Sequence, residues 1–197
     1  MSDRDAPPGY AVAGSRARYA GPVFTVVTED VRMPGGEVAA RDVVRHPGAA
    51  GVVALDAAGA VTLVRQYRHP LGARLWEVPA GLCDTADEAP AQVARRELAE
   101  EADLRAGRLD LLLTLHTSPG FSTETFHLYL ARDLAAVPAG ARFARRHEEA
   151  DLEVAAVPLD AAVAMVLAGE ITSAPTVAGL LAAGRSRDAG WTGLRPA

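Results

Sequence analysis

A single cysteine, Cys83, stands in 197 residues, so no intramolecular disulfide can form and the fold must be held by packing. That is compatible with a reducing compartment. Aromatic residues make up only 5% of the chain, which makes each of them worth following. No apolar run approaches the length of a membrane span, because charges interrupt every stretch. The opening MSDRDAPPGY lacks the basic start and apolar block of a secretory signal, and a cytoplasmic protein is expected. Positive charge is not in excess either. The formal net charge of −5 argues against nucleic acid as the main partner. It leaves room for a small anionic ligand held by metal ions or by local arginines.

What is present suffices for one domain with a sizeable core, since 49% of residues are hydrophobic. Residues 1–9 carry Pro7-Pro8 and read as a mobile start, residues 10–184 as the domain, and residues 185–197 as a flexible tail without periodicity. PVFTVVTEDVRM and EVAARDVVRH flank the turn signal PGG, and AAGVVALD and VTLVRQYRH flank AAG, giving two hairpins. RLWEVPAG is a short strand ending at Pro79. A helix from about Glu88 to Ala102 follows. DLLLTLHTS, TETFHLYLARDL and the end of EEADLEVAAVPL are further strands. DAAVAMVLAGEI reads as a helix with Asp160 as N-cap, and SAPTVAGLLAAG as another with Pro175 in its first turn. Strands with interspersed helices and no repeat predict a mixed sheet in an α+β or layered α/β arrangement.

The helix around RRELAEEADL poses a chemical question. At 100° per residue, Ala91, Ala94, Leu98 and Ala102 form an apolar stripe, while Glu97, Glu100 and Glu101 gather about a quarter turn away. Like charges at these spacings cost about 0.2–0.5 kcal/mol per pair on an exposed helix, partly offset by Arg95 and Arg96. Such a face is either solvated or a site for hard divalent cations, which take a few carboxylates together with water and phosphate oxygens. Helix geometry alone leaves both readings open.

The flanking residues separate them. Gly81, then LCDTAD, then Glu88, then seven residues, then RELAEEADL resembles the signature box of the Nudix hydrolase family. That pattern is Gly-x5-Glu-x7-Arg-Glu-U-x-Glu-Glu-x-Gly-U, with U apolar. Arg96, Glu97, Leu98, Glu100, Glu101 and Leu104 match its second half. There are two departures: six residues rather than five separate Gly81 from Glu88, and Asp103 replaces the late glycine. Asp tolerates the left-handed conformation expected there better than most residues. RLWEVPAGL before the box, TSPGFSTE after it, Pro119 fifteen residues beyond Leu104, and HEEADLEV resemble the bacterial, actinobacterial-type ADP-ribose pyrophosphatase branch of that family.

The resemblance implies an α/β fold, an α/β/α sandwich with a mixed central sheet and the box, residues 81–104, as a loop–helix–loop. It implies water attack on the diphosphate of ADP-ribose, giving AMP and ribose 5-phosphate, with Mg²⁺ or Mn²⁺ as cofactor. Glu97 and Glu101 are the main expected metal ligands, with Glu100 assisting and the Ala80 carbonyl contributing. Arg96, oriented by Glu88, steadies the helix carboxylates. Glu149 is the expected general base and Glu148 the alternative. Arg41, Arg68 and Glu77 align with substrate-contacting positions; Phe24 is a stacking residue or core, and Ser122 and Glu124 are polar contacts for the terminal ribose. Trp76 is expected to pack at the sheet end, and Cys83 has no catalytic role. Homodimerisation through N-terminal strands within residues 10–48 is also implied, with no membrane or nucleic-acid partner. Other readings are a Nudix hydrolase of another nucleotide sugar or an oxidised nucleotide, a non-catalytic ligand-sensing Nudix-like domain, and an acidic scaffold without metal.

Overall fold

The computed structural model describes residues 9–145 and 151–197, which gather into two compact units. The smaller comprises the chain up to Pro47 together with His116–Glu124; the larger comprises Gly48–Leu115 and Thr125–Ala197.

In the smaller unit, β1 (Ala11–Ala20), β2 (Thr25–Arg32) and β3 (Val38–Arg45) form an antiparallel sheet in that order. β2 and β3 are the predicted hairpin around PGG. β1 carried no strand signal, because AVAGSRARYA lacks alternation and its side chains are almost all exposed. It is held by pairing with β2 through two irregularities, between Val12 and Gly14 and between Ala17 and Tyr19. A ladder of polar contacts crosses the sheet: Arg16 to Asp30 at 2.6 Å, Arg18 to Thr28 at 2.8 Å, and Arg45 to Glu29 at 2.6 Å. The segment SPGFSTE is anchored to the end of β3. Val44 N–H donates to the Phe121 carbonyl at 2.7 Å, and Thr123 N–H to the Val44 carbonyl at 2.9 Å.

The larger unit is built on β4 (Ala49–Leu55), β5 (Ala60–Arg68), β6 (Ala73–Glu77) and β7 (Ala80–Leu82), then helix α1 (Pro90–Ala102). β8 (Leu104–His116), β9 (Thr125–Ala136), β10 (Glu153–Pro158), α2 (Leu159–Leu167), α3 (Ala174–Asp188) and β11 (Arg195–Pro196) follow. The sheet order is β10-β5-β4-β9-β8-β11, with β6 beside β5 and β7 beside β4. The β4–β9 pair is parallel and β4–β5 antiparallel, so the sheet is mixed.

Strand β4 shows why the unit is layered. All seven of its residues are buried, and alternate side chains point to opposite faces. Ala50, Val52 and Ala54 pack with Val93, Ala94 and Leu98 of α1. Ala49, Val53 and Leu55 join Leu159 of α2 and Leu180 of α3 on the other face. The result is the expected α/β/α sandwich. Gly179 lets α3 sit close to the sheet, since a Cβ there would lie 2.6 Å from Leu128 Cδ2 and 2.9 Å from Val53 Cγ2.

Three boundaries differ from the expectation. α1 starts at Pro90, with Glu88 outside it, because proline suits the first helical position and Gln92 Oε1 accepts the Ala89 N–H at 2.8 Å. Asp160 does not cap α2; Pro158 precedes the helix, and Asp160 in the first turn accepts a 2.8 Å bond from Arg187 of α3. The segment expected as a loose tail holds the last turn of α3 and then β11, which pairs with β8 through Pro196 and Asp110. No helix among the described residues is long and apolar enough to cross a membrane.

Candidate active site

The larger unit presents the box carboxylates on α1 against β7. Val93, Ala94, Leu98 and Ala102 anchor the helix to the sheet, which carries Glu97 and Glu101 inward: they are 8% and 4% exposed. Glu100 remains partly accessible. Burying two carboxylates requires firm compensation. Glu101 Oε2 accepts the Ala80 N–H at 2.9 Å. Glu97 Oε1 accepts Arg96 Nη1 at 2.6 Å, and the same nitrogen reaches Glu100 Oε2 at 3.3 Å. Arg96 Nε and Nη2 bind Glu88 at 3.1 and 3.2 Å. The planar fork of arginine fits this shared role. Its pKa is raised, first by the Glu88 hydrogen bond and then by Glu97 and the other carboxylates against the opposing effect of burial. Arg95 takes no part in this network. It donates to the Ala106 carbonyl at 2.8 Å, because its position on the helix points it toward β8.

Gly81 is what permits the arrangement. A Cβ there would stand 2.0 Å from Glu97 Oε1 and 2.3 Å from its Cδ, so the glutamate carboxyl occupies the space a side chain would fill. The potential ligand atoms gathered here are carboxylate oxygens, the type suited to Mg²⁺ or Mn²⁺. One guanidinium carries one positive charge against the three carboxylates it touches. In the geometry present, Glu97 turns to Arg96 and Glu101 to Ala80, and among the described residues no three Asp, Glu, His or Cys side chains close around one point.

The end of α1 holds a set of contacts that the sequence did not reveal. Asp103 adopts φ 55° and ψ 33°, the left-handed conformation expected at the box-glycine position, and its N–H returns to the Leu98 carbonyl. Arg145 Nε donates to the Glu100 carbonyl, and Arg145 Nη2 to Asp103 Oδ2, both at 2.9 Å. Beside them lies a cavity of about 370 Å³ lined by Arg96, Glu100, Arg142 and Phe143 among others. An arginine more than forty positions from its partner gives no local sequence signal.

Arg68 and Glu77 meet on neighbouring strands, with Arg68 Nε 2.8 Å from Glu77 Oε2. Trp76 packs against the core, with the Arg65 guanidinium 5.7 Å from its ring. The other expected substrate residues belong to the smaller unit. Arg41 is exposed on β3 and donates to the Ala40 carbonyl at 2.8 Å. Phe24 precedes β2 and is 40% exposed, with the Tyr19 ring 5.8 Å away, so it is not core there. Ser122 Oγ accepts the Glu124 N–H at 3.1 Å, and the Glu124 carboxylate is hydrogen-bonded by Thr117. Glu148 and Glu149 lie outside the described residues. Cys83 is partly buried, and its thiol pKa is raised by that burial and by Glu88 and Asp84, the opposite of an activated nucleophile.

A mixed sheet between helices, with a glutamate-rich helix steadied by arginine, defines an α/β/α protein with a candidate divalent-cation site. Comparison with known proteins makes that specific. Residues 45–179 match the NUDIX domain, and the chain belongs to the Nudix family as a pyrophosphohydrolase. It is 43% identical over 173 residues to an ADP-ribose pyrophosphatase of Mycobacterium tuberculosis, covering 88% of this chain and 82% of that protein. An ADP-ribose pyrophosphatase of Bacillus subtilis is 35% identical over 158 residues, covering 80% and 83% of the two chains. A crystal structure of an ADP compounds hydrolase shares the fold with a TM-score of 0.77 at 21% identity, covering 95% of this chain and 98% of that one.

Proposed function

We infer that this enzyme hydrolyses ADP-ribose to AMP and ribose 5-phosphate by water attack on the diphosphate. The observation that carries the reading is the box network itself: Arg96 bonded to Glu88, Glu97 and Glu100, with Glu101 seated on the Ala80 N–H. The substrate rests on the relatives named ADP-ribose pyrophosphatase, which match four fifths or more of this chain.

Glu97, Glu100 and Glu101, with the Ala80 carbonyl, would hold Mg²⁺ or Mn²⁺. When bound, such ions neutralise diphosphate charge and acidify a bound water. Arg96 holds Glu97 and Glu100 in place through charge-assisted hydrogen bonds. Glu149 takes the proton of the attacking water, with Glu148 as the alternative base. Arg68 and Arg41 offer forked donors to phosphate, and Glu77 offers an acceptor to adenine or ribose. Phe24 stacks on the base, and Ser122 and Glu124 face the terminal ribose.

The active form is a homodimer. In support, β1 is an edge strand, and the smaller unit exposes Tyr10, Val12, Tyr19, Val23, Phe24, Val38 and Phe121. An exposed strand edge and exposed apolar side chains of this kind invite a partner chain. No membrane or nucleic acid partner is proposed, and the site of action is the cytoplasm.

Hydrolysis of ADP-ribose in ¹⁸O-water with Mg²⁺, with products read by mass spectrometry, tests the reaction and locates the attacked phosphorus. A parallel panel of other nucleotide sugars and oxidised nucleotides tests the substrate. Brisk turnover of another compound with ADP-ribose among the poorest would overturn the assignment.

A further inference from the structure

We propose that Asp103 and Arg145 form a latch that fixes the last turn of α1, making both of them positioning residues for Glu100 and Glu101. The inference rests on the reading of those glutamates as metal ligands given above.

Asp103 is tied down at three groups. Its N–H donates to the Leu98 carbonyl. Its carbonyl accepts the Val137 N–H at 2.8 Å. Its Oδ2 accepts Arg145 Nη2 at 2.9 Å, and its Oδ1 is buried without a hydrogen bond, 3.9 Å from Arg142 Nε. Arg145 reaches two targets with one planar fork, since its Nε also donates to the Glu100 carbonyl at 2.9 Å. The last four carbonyls of a helix have no partner within it, and a cation there opposes the negative end of the helix dipole. Arg145 therefore satisfies the backbone of Glu100 directly while Asp103 orients the guanidinium.

The residue identity supports this role. Asp103 sits at φ 55°, where glycine carries no steric penalty and an L-residue does. Asp accepts this conformation more readily than most L-residues, and at residue 103 it adds a carboxylate that bonds Arg145, which glycine could not supply. Glycine at this position would end the helix equally well and leave Arg145 with only the Glu100 carbonyl. Arg145 is bonded to the end of α1, and the residues just before it, Arg142, Phe143 and Ala144, wall the cavity beside Arg96 and Glu100.

The test uses the full chain with Mn²⁺ as probe and no substrate. Arg145→Ala leaves the left-handed residue untouched, and Asp103→Gly removes the carboxylate while easing the backbone. Each is expected to weaken Mn²⁺ binding by calorimetry about tenfold, the effect of losing a group that orients a ligand. The double variant should be no weaker than either single one, because both remove the same device. Asp103→Gly should melt no lower than wild type, which separates positioning from global stability. Hydrogen exchange at the amides of residues 100–104 should quicken in Arg145→Ala. Affinities unchanged in both variants, or losses that add in the double variant, would overturn the latch. Wild-type protein that takes up no Mn²⁺ would defeat the metal-ligand reading instead. The exchange measurement then decides the latch alone, with unchanged protection in Arg145→Ala overturning it and faster exchange upholding it.

Discussion

Gly81 and the carboxyl group of Glu97 occupy one place: a Cβ on residue 81 would lie 2.0 Å from Glu97 Oε1. No backbone strain at Gly81 is involved, only space. The glutamate is buried and held by Arg96 at 2.6 Å, so it cannot swing away freely. Gly81→Ala is expected to displace the carboxyl group and leave the fold standing. Stability should fall by about 1 kcal/mol, the low end for overpacking, while kcat/KM falls about 10–100-fold, as for loss of a group that orients a ligand. Thermal melting and steady-state kinetics on ADP-ribose check the two separately. Wild-type kinetics would show that the Glu97 carboxyl does not need its present position.

Arg96 is shared among Glu88, Glu97 and Glu100, so its replacement releases three carboxylates at once. Arg96→Ala should lower kcat/KM by about 100-fold, the upper range for loss of a partner that orients ligands. Arg96→Lys restores charge without the fork and should recover only part of it. Equal activity of the lysine variant and wild type would mean that charge alone suffices.

How much of this was readable beforehand depended on whether a signal was local. The Gly81–Glu88–Arg96–Glu97 spacing carried the box, and hydrophobic runs carried β4, β5 and β9, because burial on both faces of a sheet leaves continuous apolar stretches. β1 lies in the 10–48 block expected to hold strands, but its bounds are not legible because its ten residues are stabilised by pairing and show no buried face. Asp160 looked like a cap because Asp often is one, yet Pro158 sets the chain's entry to α2, and the carboxylate is used by Arg187 instead. Arg145 at the end of α1, and the Glu97 carboxyl over Gly81, are contacts between distant residues. No periodicity reports them. Arg68 and Glu77 were each legible as polar residues at strand ends, but their 2.8 Å contact required the β5–β6 register.

Asp110 provides a test of stability away from the site. Its carboxylate is fully buried, 2.8 Å from Arg108 Nε and 2.9 Å from Arg132 Nη2. Burial alone would push its pKa up, but the two arginine hydrogen bonds outweigh this and hold it below the usual carboxylate range. A group depressed in the folded state stabilises the protein above its unfolded pKa, about 3.9 for Asp. That contribution is lost as pH falls through the lower folded value. Asp110→Asn should cost about 3 kcal/mol at neutral pH, the low end for breaking a buried pair, because Arg108 is half-exposed and screened. The gap between the two proteins should narrow only below about pH 4. Urea unfolding across pH measures it, and a gap that stays constant down to about pH 2, below the unfolded value, would contradict the assignment of the shift to these arginines.

Glu149 carries the chemical step in the proposed mechanism, and its role is inferred from HEEAD in the sequence. Glu149→Gln keeps size and hydrogen bonding but removes the base. Turnover should fall by about 10²–10⁴, the usual contribution of general base catalysis, while KM for ADP-ribose stays close to wild type, because a base that acts on water adds little to substrate binding. Glu148→Gln is the internal control and should retain most of the activity. Reversed results would move the base to Glu148. Equal small effects in both variants would place proton removal outside this segment, leaving the box carboxylates to bind the metal without a base from HEEAD.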